Sequence, residues 1–248
     1  MKPIEDFWEK LSEAKRRTLL SDYDGTLAPF VEEREEAFPY PGVTERLSAI
    51  RQSNTRVVIV TGRTAREILR FLPTDPPLEI WGCHGGERLL PSGELRTLSL
   101  TPAQRAALER ASAISLALLP ERRVEKKPLS VAFHLRGLGD DVGCQLKEML
   151  DPLCNCGLGL MPFDGGLELR ILSCTKAMAV GTIIAEEGDA VIAYLGDDFT
   201  DEDAFYAIKG KGLSALVRPE WRPTSADVWI IPPEELLSFL DRWIETCR

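Results

Sequence analysis

Apolar and polar residues are arranged along the chain in a pattern that predicts an α/β protein. Short apolar runs between turn residues are typical of buried strands, and apolar residues three or four positions apart are typical of helices. The two alternate in the first part of the chain, with helices at 4–15, 41–53 and 64–72 and strands at 18–22, 57–60 and 78–83. This alternation predicts a parallel sheet with helices on its faces.

The pattern changes after Gly85. Pro91-Ser92-Gly93 predicts a hairpin turn, and a block of αββαββ order follows, with helices at 102–118 and 140–150 and strands at 124–126, 130–135, 157–161 and 167–171. The core pattern then resumes, with helices at 175–187, 201–208 and 232–243 and strands at 190–195, 213–217 and 227–230. We therefore predict a core at 1–100 and 172–248 and an inserted α+β domain at 101–171.

The composition excludes several classes of partner. The chain has 248 residues, of which 44% are hydrophobic, and a net charge of −9, which argues against binding to nucleic acid or anionic membranes. No signal region or membrane-length apolar stretch is present in the sequence, so we predict a cytoplasmic protein. The six cysteines show no repeated spacing and are expected to be reduced thiols. An acidic run that includes Glu32 and Glu33 predicts a solvated loop.

Two carboxylates, Asp22 and Asp24, lie at the carboxyl end of the first predicted strand. The carboxyl ends of parallel strands form the edge at which ligands bind. Two carboxylates in that place repel each other unless a cation lies between them, and Mg²⁺ prefers oxygen ligands of this kind. Taken alone, the pair is equally consistent with ordinary turn and capping residues.

Three further polar clusters lie at or just beyond the ends of predicted core strands: Thr61-Gly62-Arg63, Lys176 and Gly196-Asp197-Asp198-x-x-Asp201. Together they suit phosphoryl transfer, because a carboxylate can attack phosphorus, a second can exchange protons, a hydroxyl can hold phosphate oxygens and a lysine can offset the negative charge. Each cluster alone has an ordinary structural interpretation. Their joint occurrence in this order is far more specific.

The same residues resemble the four motifs of the haloacid dehalogenase-like phosphatase superfamily. More narrowly, the chain resembles the trehalose-6-phosphate phosphatase family in its Gly-Asp-Asp-x-Thr-Asp-Glu-Asp segment and in the stretches around His84, Lys126, His134 and Glu168. The resemblance implies a Rossmann-like parallel-sheet core with an inserted α+β cap domain. It also implies Mg²⁺-dependent hydrolysis of trehalose 6-phosphate through an aspartyl phosphate.

The resemblance also implies a role for each catalytic residue. Asp22 would be the nucleophile and a Mg²⁺ ligand, and Asp24 the general acid and base, with its backbone carbonyl on the metal. Thr61 and Lys176 would contact the transferred phosphoryl group. The metal set would be Asp22, Asp24, Asp197 and Asp198, with Asp201 supporting it.

For the substrate, the resemblance implies contacts from Gly62 and Arg63 in the core and from Lys126, His134, Glu168 and Arg170 in the cap, with Arg136 as a further candidate. The predicted partner is a small sugar phosphate, with a trehalose-6-phosphate synthase as a pathway partner. Thr175-Lys176-Ala177 departs from the Asn-Lys-Gly that relatives usually carry, and this leaves the substrate less certain than the chemistry.

Three alternatives to this function remain open from the sequence. The chain could act on another sugar phosphate or a glycosyl-glycerate phosphate. It could be a phosphomutase. It could also be a non-catalytic module that binds a sugar phosphate, although such modules are expected to lose the nucleophile or the acid.

Overall fold

The computed structural model describes residues 2–31, 34–163 and 165–248. Glu32 and Glu33 of the predicted acidic loop, and Asp164 of the turn predicted between two strands, lie outside the described residues. Contacts divide the chain into two units, Met1–Arg96 with Thr175–Arg248, and Thr97–Cys174. The assignment of these parts as core and cap, with boundaries at 100/101 and 171/172, stays a prediction.

The helices and strands follow the predicted order. The helices are α1 (Lys2–Glu13), α2 (Val43–Gln52), α3 (Ala65–Phe71), α4 (Pro102–Ser115), α5 (Asp140–Leu150), α6 (Lys176–Glu187), α7 (Glu202–Ile208) and α8 (Glu234–Thr246). The strands are β1 (Arg17–Ser21), β2 (Thr55–Val60), β3 (Glu79–Gly82), β4 (Glu87–Leu89), β5 (Leu95–Thr97), β6 (Val124–Lys127), β7 (Ser130–His134), β8 (Leu158–Phe163), β9 (Gly166–Ile171), β10 (Val191–Gly196), β11 (Gly212–Val217) and β12 (Val228–Ile230).

The first unit is built on a sheet of order β12-β11-β10-β1-β2-β3-β4-β5. The strands from β12 to β3 pair in parallel, and β4 adds to β3 in antiparallel orientation. Ser21, the last residue of β1, is level with Leu195 of β10 on one side and Ile59 of β2 on the other. The loops that leave these three strands therefore begin side by side at one edge of the sheet.

Buried apolar residues cover both faces of this sheet. Leu19 of β1 belongs to the cluster that includes residues of α1, α2 and α8, whereas its neighbour Leu20 belongs to the cluster that includes residues of α6 and α7. A strand buried on both faces needs apolar residues at consecutive positions, which explains the uninterrupted apolar runs of the sequence. The predicted α/β class with a parallel-sheet core is confirmed.

The second unit contains an antiparallel sheet of order β6-β7-β9-β8, with α4 and α5 in contact with its strands. Val131 and Leu169 face each other across β7 and β9 and are buried. Among the described residues, no helix combines the length and the apolar character that crossing a membrane requires.

Candidate active site

Lys176 links two carboxylates that come from distant parts of the sequence. Its Nζ lies 2.7 Å from Asp22 Oδ2 and 2.8 Å from Asp201 Oδ1. Lys176 is the first residue of α6, and the side chain of Thr175 caps this helix by accepting a hydrogen bond from the N–H of Met178. Thr175 therefore caps the helix that begins at Lys176, although Thr175-Lys176-Ala177 departs from the usual Asn-Lys-Gly. All three charged residues are at most 5% exposed.

Four donors form hydrogen bonds with the side chain of Asp201. Its carboxylate accepts hydrogen bonds from the Tyr194 hydroxyl, from Lys176, and from the backbone N–H groups of Asp197 and Asp198 at 3.2 and 3.0 Å. The short 3₁₀ turn Phe199–Asp201 folds the chain back so that this carboxylate reaches the loop after β10. Asp201 thereby fixes the segment that carries Asp197.

Three buried carboxylates form a cluster that could hold a cation. One oxygen from each of Asp22, Asp197 and Asp201 lies within 4.8 Å of the others, and Thr26 Oγ1 donates to Asp197 Oδ1 at 3.2 Å. Buried carboxylates at this spacing are costly without a positive charge among them. An all-oxygen set fits the preference of Mg²⁺.

The cluster contains Asp22 and Asp197 of the predicted metal set, together with Asp201. Asp198 caps the turn that follows it, since its Oδ1 accepts from the N–H of Phe199 at 2.7 Å, and Asp201 is the third carboxylate of the cluster instead. The side chain of Asp24 binds Arg63 rather than joining the other carboxylates. A backbone contact from Asp24 to a metal stays a prediction.

The charges of this cluster perturb one another. Burial raises the pKa of Asp22 to about 7, although the neighbouring Lys176 acts in the opposite direction. Burial, together with the charges of Asp22 and Asp201, also raises the pKa of Asp197 well above its ordinary value. Burial alone would lower the pKa of Lys176, but the three surrounding carboxylates outweigh it and raise that pKa. The site thus has an excess of buried negative charge, which a divalent cation would offset.

Gly25 makes room for Asp197. Its backbone is in the left-handed region, with φ of +74°, and a Cβ at this position would lie 2.2 Å from Asp197 Oδ2. A larger residue would therefore be strained in the backbone and would displace the carboxylate.

Arg63 holds the carboxylate of Asp24 through two nitrogens. Nε lies 2.8 Å from Oδ2, and Nη2 lies 2.6 Å from Oδ1. The guanidinium is 2% exposed, and its Cζ lies 5.5 and 5.0 Å from the ring centroids of Tyr23 and Phe71. Arg63 was predicted to bind substrate, whereas the structure places its guanidinium against the predicted acid and base.

The loop after β2 is closely packed. Thr61 is fully buried; its hydroxyl accepts from the N–H of Arg63 at 3.1 Å, and its carbonyl accepts from the N–H of His84 at 2.9 Å. A Cβ on Gly62 would lie 2.8 Å from ring atoms of His84. Cys83 and His84 both have positive φ, 50° and 57°, a conformation that non-glycine residues adopt rarely and mainly at functional sites. Gly62 therefore packs directly against the His84 ring, with no room for a side chain at position 62.

In the second unit, most of the predicted sugar-binding residues share one face of the sheet. The pairs Ala132–Glu168, Ser130–Arg170 and His134–Gly166 are level across β7 and β9, so Glu168, Arg170 and His134 point to the same side. Glu168 accepts from Ser130 Oγ at 2.6 Å and lies 3.0 Å from Lys127 Nζ. The structure brings these residues together on a polar face.

Lys126 is on the opposite face of that sheet. It pairs with Val131, which is buried on the apolar side, whereas its neighbours Glu125 and Lys127 pair with Ala132 and Ser130 on the polar side. Glu125 Oε2 lies 3.0 Å from His134 Nε2. Lys127 and Glu125 are therefore the residues that the sequence interpretation missed. The alternation of side chains along β6 identifies them only when the register of β6 against β7 is known.

Tyr194 was also missed, because its position within an apolar strand gives no sign that its hydroxyl holds Asp201. Arg222 was missed for a similar reason. It reaches the loop after β10 from a segment with no motif of its own, and its guanidinium donates to the carbonyls of Asp197 and Asp198.

The fold of this chain is shared with known proteins. A haloacid dehalogenase-like hydrolase from Bacteroides thetaiotaomicron has the same fold, with a TM-score of 0.67 at 16% identity over 92% of this chain and 99% of that one. The fold is therefore that of haloacid dehalogenase-like hydrolases. The family model for trehalose-phosphatase matches residues 20–227, and the chain belongs to that family.

Two relatives indicate how close the similarity is. A trehalose-6-phosphate phosphatase-related protein from Thermoplasma acidophilum is 32% identical over 75% of this chain and 80% of its own length. The C-terminal domain of Candida albicans trehalose-6-phosphate phosphatase has a TM-score of 0.80 at 21% identity and covers 97% of this chain and 96% of its own. The chain spans only 17% of the length of two relatives from Mycobacterium tuberculosis, to which it is 30% identical.

Proposed function

We propose that the chain is a Mg²⁺-dependent phosphatase that hydrolyses trehalose 6-phosphate to trehalose and phosphate. The observation that carries the proposal is the convergence of Asp22, Asp197 and Asp201 on one another and of Lys176 on Asp22. Membership of the trehalose-phosphatase family supports the choice of substrate. That a trehalose-6-phosphate synthase is a partner of the chain stays a prediction.

In the proposed reaction, an oxygen of Asp22 attacks phosphorus and the bond from phosphorus to the sugar oxygen breaks. The sugar oxygen takes a proton from Asp24, and Asp24 then takes a proton from the water that hydrolyses the aspartyl phosphate. Lys176 keeps Asp22 oriented and offsets charge on the transferred group. Asp22, Asp197 and Asp201 would hold Mg²⁺, which supplies electrostatic stabilisation of the phosphoryl oxygens.

Asp24 must change partners during this reaction. A protonated carboxyl group is only weakly attracted to a guanidinium, whereas the ionised carboxylate forms a strong two-point contact with Arg63. Asp24 therefore has to leave Arg63 when it carries the proton to the sugar oxygen. In this proposal Arg63 positions Asp24 between turnovers.

For the sugar, we propose the polar face of the second unit, with Glu125, Lys127, His134, Glu168 and Arg170 as the contacting residues. Its carboxylates can accept hydrogen bonds from sugar hydroxyls, and its lysine and arginine can donate hydrogen bonds to them. The second unit would then act as the cap that the sequence predicts.

The test is phosphate release from a panel of sugar phosphates, with Mg²⁺ and with EDTA, compared by kcat/KM. We expect trehalose 6-phosphate to be the preferred substrate, activity to require Mg²⁺, and Asp22→Asn to abolish turnover. Equal rates on many small phosphates would overturn the substrate assignment. Wild-type turnover by Asp22→Asn would overturn the mechanism, and transfer of the phosphoryl group to a second sugar hydroxyl would indicate a phosphomutase.

A further inference from the structure

Arg222 is a buried cation outside the residues to which the proposed reaction assigns a role. It lies between β11 and β12 and is 8% exposed. Its Nη2 donates to the carbonyl oxygens of Asp197 and Asp198 at 3.2 and 2.8 Å, and its Nε donates to the carbonyl of Asp197 at 3.3 Å. One planar guanidinium thus holds two consecutive peptide groups of the loop that carries Asp197.

Glu202 holds Arg222 in turn. Its Oε1 accepts from Arg222 Nη1 and from Thr224 Oγ1, and its Oε2 accepts from the N–H and the hydroxyl of Ser225 at 2.8 and 2.6 Å. The Phe199 ring centroid lies 4.7 Å from Arg222 Cζ. The guanidinium is therefore fixed by a carboxylate and an aromatic ring, and the carboxylate is fixed by the segment after Arg222.

Arg222 and Asp201 both contact the backbone of the loop that carries Asp197. Asp201 fixes the loop through the N–H groups of Asp197 and Asp198, while Arg222 fixes the same two residues through their carbonyl groups. The backbone of Asp197 is thus held at both its N–H and its carbonyl group, and Thr26 Oγ1 donates to its side chain. Partners of this kind, one contact removed from a metal, typically change metal affinity when they are replaced.

We propose that Arg222, held by Glu202, is a positioning residue that fixes Asp197 for a divalent cation. The inference rests on the proposed function, because it requires that a cation bind the cluster of Asp22, Asp197 and Asp201. The competing explanation is that Arg222 and Glu202 only stabilise the fold.

The experiment measures binding of Mn²⁺, as a spectroscopic substitute for Mg²⁺, to the full chain by electron paramagnetic resonance of the free ion. The variants are Arg222→Met, Arg222→Lys and Glu202→Gln. Arg218→Met is the matched control: Arg218 is a half-buried arginine directly after β11, and its side chain shows no hydrogen bond to 197–202 in the described part of the chain. The melting temperature with and without Mn²⁺ and the dependence of turnover on Mg²⁺ are measured alongside.

We expect Arg222→Met to weaken Mn²⁺ binding about 10- to 100-fold. Arg222→Lys and Glu202→Gln should weaken it less, because a lysine can still donate to the loop and the amide oxygen of the Glu202→Gln variant can still accept from Arg222. Turnover at saturating Mg²⁺ should be largely retained, so that the loss falls on the Mg²⁺ requirement. Arg218→Met should bind Mn²⁺ as the wild type does.

The inference is overturned if the Arg222 and Glu202 variants bind Mn²⁺ with wild-type affinity, even if they melt at a lower temperature. If Arg222→Met does not fold, the affinities of Arg222→Lys and Glu202→Gln decide. If the wild-type protein hydrolyses trehalose 6-phosphate and the variants bind Mn²⁺ normally, this inference alone is overturned. If the wild-type protein does not bind Mn²⁺, or if its Mn²⁺ binding does not depend on Asp22, both proposals are overturned.

Discussion

Two isosteric replacements in one motif, Asp22→Asn and Asp24→Asn, should change the stability of the metal-free protein in opposite directions. Burial among other carboxylates raises the pKa of Asp22 to about 7 from 3.8. An acid whose pKa is higher in the folded state destabilises that state when it is ionised. This destabilisation is absent below about pH 4 and complete above about pH 7.

The structure gives the size of each effect. A pKa of about 7 in place of 3.8 corresponds to roughly 4 kcal/mol of destabilisation when Asp22 is ionised. This figure already includes the attraction of Lys176, which opposes the effect of burial. The Asp22→Asn variant avoids the penalty, and Lys176 keeps Asp201 as a partner, so we expect a gain of at most about 4 kcal/mol at pH 8.

Asp24→Asn should lower the free energy of unfolding, because it removes the negative charge that pairs with Arg63, and Arg63 is only 2% exposed. Removing one partner of a buried ion pair costs about 3–5 kcal/mol. The side chain of Asp24 is 29% exposed, and solvent reduces the value of such a pair, so a loss of about 2–3 kcal/mol is expected.

Urea unfolding in EDTA at pH 8 and pH 5, followed by tryptophan fluorescence, tests both signs. We expect Asp22→Asn to unfold at a higher urea concentration than the wild type at pH 8, with the advantage shrinking at pH 5. Asp24→Asn should unfold at a lower concentration at both pH values. The reasoning is refuted if Asp22→Asn is less stable than the wild type at pH 8, or if the two variants shift together.

Three further results follow from the same geometry. Gly25→Ala should reduce Mg²⁺-dependent phosphate release at least tenfold, because its Cβ would lie 2.2 Å from Asp197 Oδ2, whereas Gly93→Ala, which has a similar φ and nothing within 4 Å, should leave turnover intact. Lys127→Met should raise KM for trehalose 6-phosphate about tenfold or more, which corresponds to the loss of one charged hydrogen bond, whereas Lys126→Met should leave KM unchanged. Equal effects of the two substitutions in steady-state kinetics would contradict the assignment of Lys126 and Lys127 to opposite faces of the sheet. Because the proton on Asp22 competes with a cation and is held up to about pH 7, the Mg²⁺-induced rise in melting temperature should be larger at pH 8 than at pH 6, as measured by scanning calorimetry.

The positions of the core residues can be predicted from the sequence because they depend on where strands end. Asp22, Thr61 and Asp197 each follow a strand directly, and parallel strands bring their carboxyl ends to one edge regardless of the length of chain between them. Where local geometry decides, the sequence is less informative. Asp198 and Asp201 are three residues apart, and only the 3₁₀ turn between them determines which carboxylate joins the cluster.

In the second unit the difficulty was register. Lys126 and Lys127 are chemically identical, and a shift of one residue in β6 exchanges the face on which each lies. The pairing of Lys127 with Ser130 fixes that choice, but it depends on a hairpin whose turn the sequence does not specify uniquely. Arg222 could not be predicted at all, because nothing near it in sequence indicates that its guanidinium reaches the carbonyls of Asp197 and Asp198.

The different surroundings of Asp22 and Asp24 also account for how one short motif can supply two kinds of chemistry. Asp22 lies among buried carboxylates with one ammonium group, so that its ionised form depends on a cation for stability. Asp24 lies against the guanidinium of Arg63 and is partly exposed to solvent, so that its negative charge is balanced without a metal ion. These surroundings fit the two roles in the proposed reaction, a nucleophile next to a cation and an acid and base that exchanges Arg63 for the substrate.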